Sequence, residues 1–356
     1  MVSRIDTNLM TDIITTLINE IGPGHMASTA YDTAWAARLD EIDPSISAHA
    51  LTWLTKNQLP DGAWGAPAPM YYHDRVVCTL AAMIALERRG HREADKEQIL
   101  KGKLALERIV SGATGGLSSD PNGATVGFEM IAPTLVAEAE TLGLIKNQAN
   151  RILGRISKQR AVKLAYLKDN MISRHVTMAF SAEMAGVDGK HMLDVDNLQE
   201  SNGSVGVSPS ATAYFATYIK KGDKAALAYL RDIMKPDGSF PNVAPFDVFE
   251  IGWSLWNLSL IPGLKQHAKL KPHLDFLANA WVPKRGVGFA AGYTVKDSDD
   301  TSLVFDTLLR YGIEKDLGSV LSYEEKDHSA VSIWKPTLRS AQIFTCWAPS
   351  GRQGWI

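Results

Sequence analysis

Three carboxylates, Asp297, Asp299 and Asp300, fall within four positions of KDSDDTSLVF (296–305), directly before a run of helical apolar spacing. Crowding acids is unfavourable, because each charge raises the cost of ionising the next. One reading is local: Asp, Ser and Thr are preferred helix caps and carboxylates favour the positive end of a helix, so acidic helix starts are common. A calcium loop fits poorly, since neither the glycine nor the terminal glutamate of an EF-hand loop stands in its place. The chemical reading is a general acid. With Trp281, Phe289, Tyr293 and Phe305 nearby in the chain, like charge and desolvation would keep a proton on the central Asp299, while Asp297 or Asp300 accepts its hydrogen bond and aims the acidic O–H. Such a group suits an unusually hard task, protonating a carbon of an unactivated alkene.

The elements that must position this cluster read as helices. ISAHALTWLTKNQL, RVVCTLAAMIALERRG, APTLVAEAETLGLI, ATAYFATYIKKG, FDVFEIGWSLWNLSL and TSLVFDTLLRYG each carry apolar residues at three and four spacing, whereas strand-like alternation is scarce. The breaks share one flavour: LPDGAWG (59–65), SNGSVG (201–206), KPDGSF (235–240) and KRGVGF (284–289) each join a turn and a glycine to a small residue and an apolar or aromatic one. Placed between helices, such turns supply a left-handed glycine and a plug for the adjoining helix pair. Their irregular spacing fits closed rings of helix pairs, an all-α fold of α/α barrels, better than a regular solenoid. The softest boundary lies around MKPDGSFPNVAPFD, with Pro241 and Pro245 after a turn.

The 356 residues, 45% hydrophobic and 21% charged, are enough for two domains with real cores, and a formal net charge of −2 favours neither nucleic acid nor an anionic membrane. Cys78 and Cys346 form no CxxC or Cys/His ligand spacing, which points to a reducing compartment, the cytoplasm by default. The start of the chain spaces Leu9, Ile13, Leu17 and Ile18 as a helix stripe among acids, unlike a signal or transit peptide, and no apolar run reaches membrane-spanning length. No stable membrane insertion is expected.

The acid cluster resembles the DxDD signature of class II terpene cyclases. STAYDTAWAARL (28–39), QLPDGAWG (58–65), VGFEMIAPTL (126–135), NGSVGVSPSATAYF (202–215) and PNVAPFDVFEIGWSL (241–255) resemble, in order, further blocks of the class II diterpene cyclases, nearest to bacterial halimadienyl (tuberculosinyl), kolavenyl and copalyl diphosphate synthases. The resemblance implies two α-helical barrels, γ and β: residues 25–245 as γ, residues 1–24 with 246–328 as the first part of β carrying the motif, and 329–356 as an atypical tail. It implies that Asp299 protonates the terminal double bond of geranylgeranyl diphosphate, that a bicyclic cation forms and loses a proton, and that the diphosphate stays on. Ionising it would need the DDxxD magnesium motif of class I enzymes, and Asp299-Asp300-Thr301-Ser302-Leu303 lacks the last Asp. A downstream class I synthase or phosphatase would then take the product. Cations call for aromatic faces and exclusion of water, so Trp253, Trp256, Trp281, Phe289, Tyr293 and Phe305 are candidates for the cavity wall, Trp253, Trp281 and Tyr293 foremost, although core packing explains most aromatics.

The pattern departs from the family in three places. Plant-type and some bacterial copalyl synthases pair a His of a Leu-His-Ser motif with an Asn of a Pro-Asn-Val motif, the two serving with water as the terminating base; this chain has Pro241-Asn242-Val243 but Ala179-Phe180-Ser181, so the dyad is incomplete. A rearranged skeleton such as halimadienyl or kolavenyl therefore stands beside copalyl, and His175 is the nearest imidazole in sequence. The acidic magnesium motif of γ reduces to Asp120 and Glu129, with Mg2+ held largely by the substrate's phosphates. After SYEEKDH (322–328) the family's pattern stops, and a shifted reading of QIFTCWAP resembles its next block, so a frameshift near Ser329 is expected. The rival readings are a catalytically inactive truncated remnant folding only as γ, and a hopene-type triterpene cyclase. A prenyltransferase β-subunit is set aside because two isolated cysteines do not supply its Asp/Cys/His zinc site.

Overall fold

Short polar residues start the helices of this chain. Asp43 caps one by accepting the Ile46 N–H, Asp223 another from Ala225 and Ala226, Ser208 a third from Ala211 and Asp316 a fourth from Ser319, and Pro44 and Pro209 sit where their missing N–H is not needed. In the computed structural model, residues 7–68, 70–89, 92–111, 116–117, 127–146, 148–154, 156–165 and 171–324 are described. In chain order the α-helices are α1 (Thr7–Glu20), α2 (Ala30–Ala36), α3 (Pro44–Lys56), α4 (Tyr72–Arg89), α5 (Glu93–Ser111), α6 (Phe128–Thr141), α7 (Ala149–Leu153), α8 (Ile156–Ala165), α9 (Pro209–Tyr214), α10 (Lys224–Ile233), α11 (Asp247–Leu258), α12 (Lys271–Ala280), α13 (Ser298–Arg310) and α14 (Leu317–Leu321). The chain divides into two units, Met26–Val243 and the pair of segments Met1–His25 and Ala244–Ile356.

The Met26–Val243 unit is built around α4, whose residues from Arg75 to Leu86 are all buried, the signature of a helix enclosed by its neighbours. It packs against α2, α5 and α6, and α2 in turn against α3 and α9. Three of the recurrent turns belong here. Asp61, Asn202 and Asp237 each accept, through the side chain, the N–H two residues on at 3.0 Å, and Gly62, Gly203 and Gly238 follow with φ of 87°, 89° and 87°. At Gly62 and Gly238 an added Cβ would run into the backbone of Lys101 and His49 on neighbouring helices, so these turns need glycine for approach as well as for conformation. A two-residue antiparallel ladder pairs Ser28 with Pro241 and Thr29 with Phe240, bringing the ends of this unit together.

The other unit packs α11 against α13 and α12, and α13 against α14, around Ile18, Val248, Leu255, Leu270, Leu277, Val304 and Leu308. Gly252 lets α11 and α13 approach, since a Cβ there would already touch Leu303 at 3.3 Å. Among the described residues no helix is long and apolar enough to cross a membrane. The tail, 325–356, including the expected frameshift near Ser329, lies outside the described residues.

Candidate active site

The acid cluster sits at the first turn of α13. Asp297 is the N-cap, with extended φ −136° and ψ 164°, and its Oδ1 accepts the Asp300 N–H at 2.9 Å. The segment before it is tied to the same turn: Asp297 N–H donates to Val287 O at 3.1 Å, and Thr301 Oγ1 both accepts from Val287 N–H and donates to Val287 O at 3.0 Å. Gly286, with φ +74°, lies where any Cβ would overlap Thr301, and one on Gly288 would come within 3.3 Å of Asp297 Oδ2. Tyr323 closes the back of this turn by donating to Arg285 O at 3.0 Å. The fourth recurrent turn, KRGVGF, thus serves as the floor of the acid cluster.

The three carboxylates lie within 4.8 Å of one another, close enough for their charges to be strongly coupled. Burial, the Asp300 charge and a hydrogen bond with Asp299 push the Asp297 carboxyl well above the usual carboxylate range. Asp300 is raised to about 7 by burial and by the Asp299 charge. Burial and mutual repulsion therefore favour a proton on Asp297 at neutral pH. Its location differs from the expectation drawn from the sequence, because Asp299 is the exposed member of the trio while Asp300 is buried and Asp297 half-buried. Helix geometry explains the difference: the capping residue folds back on the first turn and the third helical position faces the core, which leaves the intervening carboxyl turned outward.

The candidate aromatics separate into two groups. Trp256, Trp253, Phe249, Phe246, Phe289 and Tyr293 form a continuous ladder with centroid separations from 4.6 to 6.2 Å. Within it Trp253 is 43% exposed and Phe249 36%, whereas Tyr293 is buried. Trp281 belongs elsewhere: it is buried, packs on Phe305 and donates its indole N–H to Asp316 at 2.7 Å. Lys296 and Asp247 escaped the reading of the sequence. Lys296 is buried beside the cluster and donates to Tyr293 O at 2.6 Å, while Asp247 accepts from Ala291 and Val248 N–H and is raised by burial against the opposing pull of Lys296.

Asn242 lies in the Met26–Val243 unit, as do Glu129 and Phe180. Asn242 N–H donates to Ala27 O at 3.1 Å and its Nδ2 to Asp32 Oδ2 at 3.3 Å. Phe180 is half-buried on a 3-10 segment, Thr177–Ala185, and His175 is exposed. Glu129 is buried and paired with Lys163, so its carboxylate is already compensated by an ammonium and is a poor magnesium ligand as it stands; Asp120 lies outside the described residues. Among the described residues the Asp297, Asp299 and Asp300 trio is the acidic group with the spacing of a cation site, and in it burial pushes Asp297 upward, toward its protonated form.

No protein-family model matches the chain. It is 49% identical over 307 residues to a type B diterpene cyclase of Mycobacterium tuberculosis, the match covering 85% of this chain and 61% of that protein. It is 32% identical to the chloroplastic ent-copalyl diphosphate synthase 1 of Oryza sativa subsp. japonica, over 88% of this chain and 36% of the relative. Among solved structures, the ent-copalyl diphosphate synthase of Arabidopsis thaliana, in complex with an aza-analogue of a geranylgeranyl thiolodiphosphate, matches with a TM-score of 0.75 at 27% identity, over 93% of this chain and 47% of that one. The ent-copalyl diphosphate synthase of Streptomyces platensis shares the fold, with a TM-score of 0.68 at 22% identity, over 92% of this chain and 65% of that one. The chain spans less than two thirds of the length of each of these four proteins.

Proposed function

The chain is a homologue of the diterpene cyclases with their all-α fold, and on that premise we propose that it carries the protonating site of a class II cyclisation. The observation that carries the reading is the packing of the Asp297, Asp299 and Asp300 carboxyls within 4.8 Å of one another, where burial and mutual repulsion push Asp297 and Asp300 above the usual carboxylate range. Asp299, exposed and hydrogen-bonded to Asp297, is the member that delivers the proton; Asp297 is its partner and reservoir. A carboxylic acid kept neutral at pH 7 is what an alkene requires, since an ionised carboxylate has nothing to give.

The substrate proposed is geranylgeranyl diphosphate. Proton addition to its terminal double bond gives a tertiary cation, two ring closures consume two further double bonds, and loss of a proton from the bicyclic cation returns the count, so the reaction is an isomerisation with the diphosphate retained. The aromatic ladder, Trp253 and Tyr293 included, offers ring faces to the cations, whereas Trp281 packs on Phe305 outside that ladder with its indole N–H committed to Asp316. Magnesium, when present, would neutralise the diphosphate, and the chemistry of the trio does not depend on it. The product would pass to an enzyme able to ionise or hydrolyse an allylic diphosphate, in a reducing compartment such as the cytoplasm.

Incubating the purified chain with geranylgeranyl diphosphate and magnesium, then removing phosphate and separating the products, tests the proposal. A bicyclic diterpene alcohol from the unaltered protein and none from Asp299→Asn is the expected result. Activity retained in Asp299→Asn, with the variant folded, would refute the assigned acid; no product from the unaltered chain is the outcome expected of an inactive remnant.

A further inference from the structure

A buried ammonium stands directly before the acid cluster, in the same unit of the chain. Lys296 is 8% exposed, and its Nζ donates to Tyr293 O at 2.6 Å. The segment between Val287 and Asp297 forms no helix or strand and closes on itself: Asp297 N–H meets Val287 O at its base and Tyr293 N–H meets Ala290 O at its far end, both at 3.1 Å. Helix α11 holds that far end twice. Phe249 N–H donates to Phe289 O at 3.1 Å, and Asp247 Oδ1 accepts Ala291 N–H at 2.9 Å while also accepting Val248 N–H at 2.8 Å. Asp247 is in turn linked by charge to Lys296.

We propose that Lys296 and Asp247 are positioning residues of the proton-donating site, fixing this loop against α11 so that the Asp297 carboxyl and the ring faces of Phe289 and Tyr293 keep one arrangement; this rests on the reading of the preceding section. Irregular backbone makes few hydrogen bonds of its own, so side chains must hold its shape. Lys296 does so from inside the loop and Asp247 from the helix beside it, and their opposite charges offset the cost of burying either alone. An apolar side chain would fill the place of Lys296 at lower cost. What the ammonium contributes is direction: it holds the Tyr293 carbonyl and thereby orients the ring on the same residue.

The loop leads to the acid at one end and to the ring stack at the other. Gly288 lies where an added Cβ would come against Val295 O and Asp297 Oδ2, so the two limbs of the loop meet beside the carboxyl. Phe289 is packed between Phe246 and Tyr293, with ring centroids 5.2 and 4.6 Å away and both pairs tilted by 36°. Releasing the Tyr293 carbonyl or the Ala291 N–H would free both features together, because the same short stretch of backbone carries them.

The test measures near-UV circular dichroism, melting temperature and the kinetics of bicyclic product formation from geranylgeranyl diphosphate for the full chain, Lys296→Met, Asp247→Asn and the double variant. Lys296→Met removes the ammonium with little change of volume, while Asp247→Asn keeps an oxygen for the Ala291 N–H and removes the charge. A positioning role requires each folded single variant to lose aromatic near-UV signal and about tenfold or more in kcat, with KM within about twofold of the parent, and the double variant to lose no more than the stronger single one. A folded Lys296→Met with a lowered melting temperature but the parent's kcat, or the parent's near-UV spectrum, marks a purely structural lysine and overturns the inference, as do additive losses. Should Lys296→Met not fold, Asp247→Asn decides: an unchanged kcat or spectrum there overturns it. Absence of any bicyclic product from the unaltered chain marks failure of the underlying reading instead, and the inference falls with it.

Discussion

Asp297 accepts the backbone N–H of Asp300 at 2.9 Å through a carboxyl that burial and its acidic neighbours push well above the usual carboxylate range, so one side chain both starts helix α13 and favours the acid form. The helix start gains from a carboxylate and the chemistry from a carboxylic acid. Burial decides between them, because the cap bond survives with either form while the charge does not.

Asp297→Asn keeps an acceptor for the Asp300 N–H and removes the proton store. It should fold with a melting temperature near that of the parent and lose turnover by about a hundredfold or more, in line with losses on removing an acid catalyst. Asp297→Ala should lose the cap as well, about 1 kcal/mol of stability. Thermal melts and product yield, read together, separate the two roles.

The rate of cyclisation should fall as pH rises past neutrality. Asp300 is raised to about 7 and Asp297 higher, so the fully protonated donor is depleted first through Asp300 and then through Asp297. An initial-rate profile rising with pH from 6 to 9 would falsify a carboxylic acid donor.

Gly286→Ala should destabilise the unit that carries the acid cluster by about 2–4 kcal/mol, combining a left-handed φ with overlap onto a buried side chain. The glycine has φ +74° and faces Thr301, whose hydroxyl makes both hydrogen bonds to Val287. Chemical denaturation of the purified variant measures it, and an unchanged midpoint would contradict the packing described.

Trp253 and Trp281 should answer alanine substitution in opposite ways. Trp253 is 43% exposed, so Trp253→Ala should change stability by less than about 0.5 kcal/mol while altering turnover or product. Trp281 is buried and bonded to Asp316, and Trp281→Ala should cost about 3–5 kcal/mol. Equal losses of stability in both would remove Trp253 from the proposed wall.

Stability of the Met26–Val243 unit should decline as pH rises. Glu183 is raised by burial from 4.5 to about 8 and Asp32 from 3.8 to about 6, so the folded state binds protons that the unfolded chain has released. Their contribution is complete below about pH 4 and is lost as pH climbs through 6 and 8, on the order of a few kcal/mol in total. Glu183→Gln keeps the Tyr31 contact without the charge, and its melting temperature should vary less between pH 5 and 8 than that of the parent.

The sequence by itself determined that the chain is helical, where four similar turns fall, and that three acids open one helix, because these follow from periodicity, glycine and capping chemistry over a few residues. Asp61, Asn202 and Asp237 with their glycines behave as their local pattern requires. It also brought together the blocks that suggest proton chemistry on a prenyl chain. What tertiary structure alone decided is direction and partnership. Asp299 and Asp300 are adjacent and chemically identical, yet one faces outward and the other inward, since a helix turns about 100° per residue and only packing fixes its rotation. Trp253 and Trp281 carry the same indole into an exposed ladder and a buried hydrogen bond. Glu129 gains Lys163, and Asn242 gains Asp32 across 210 residues. Such pairings depend on the three-dimensional course of the backbone, which no short window of sequence contains.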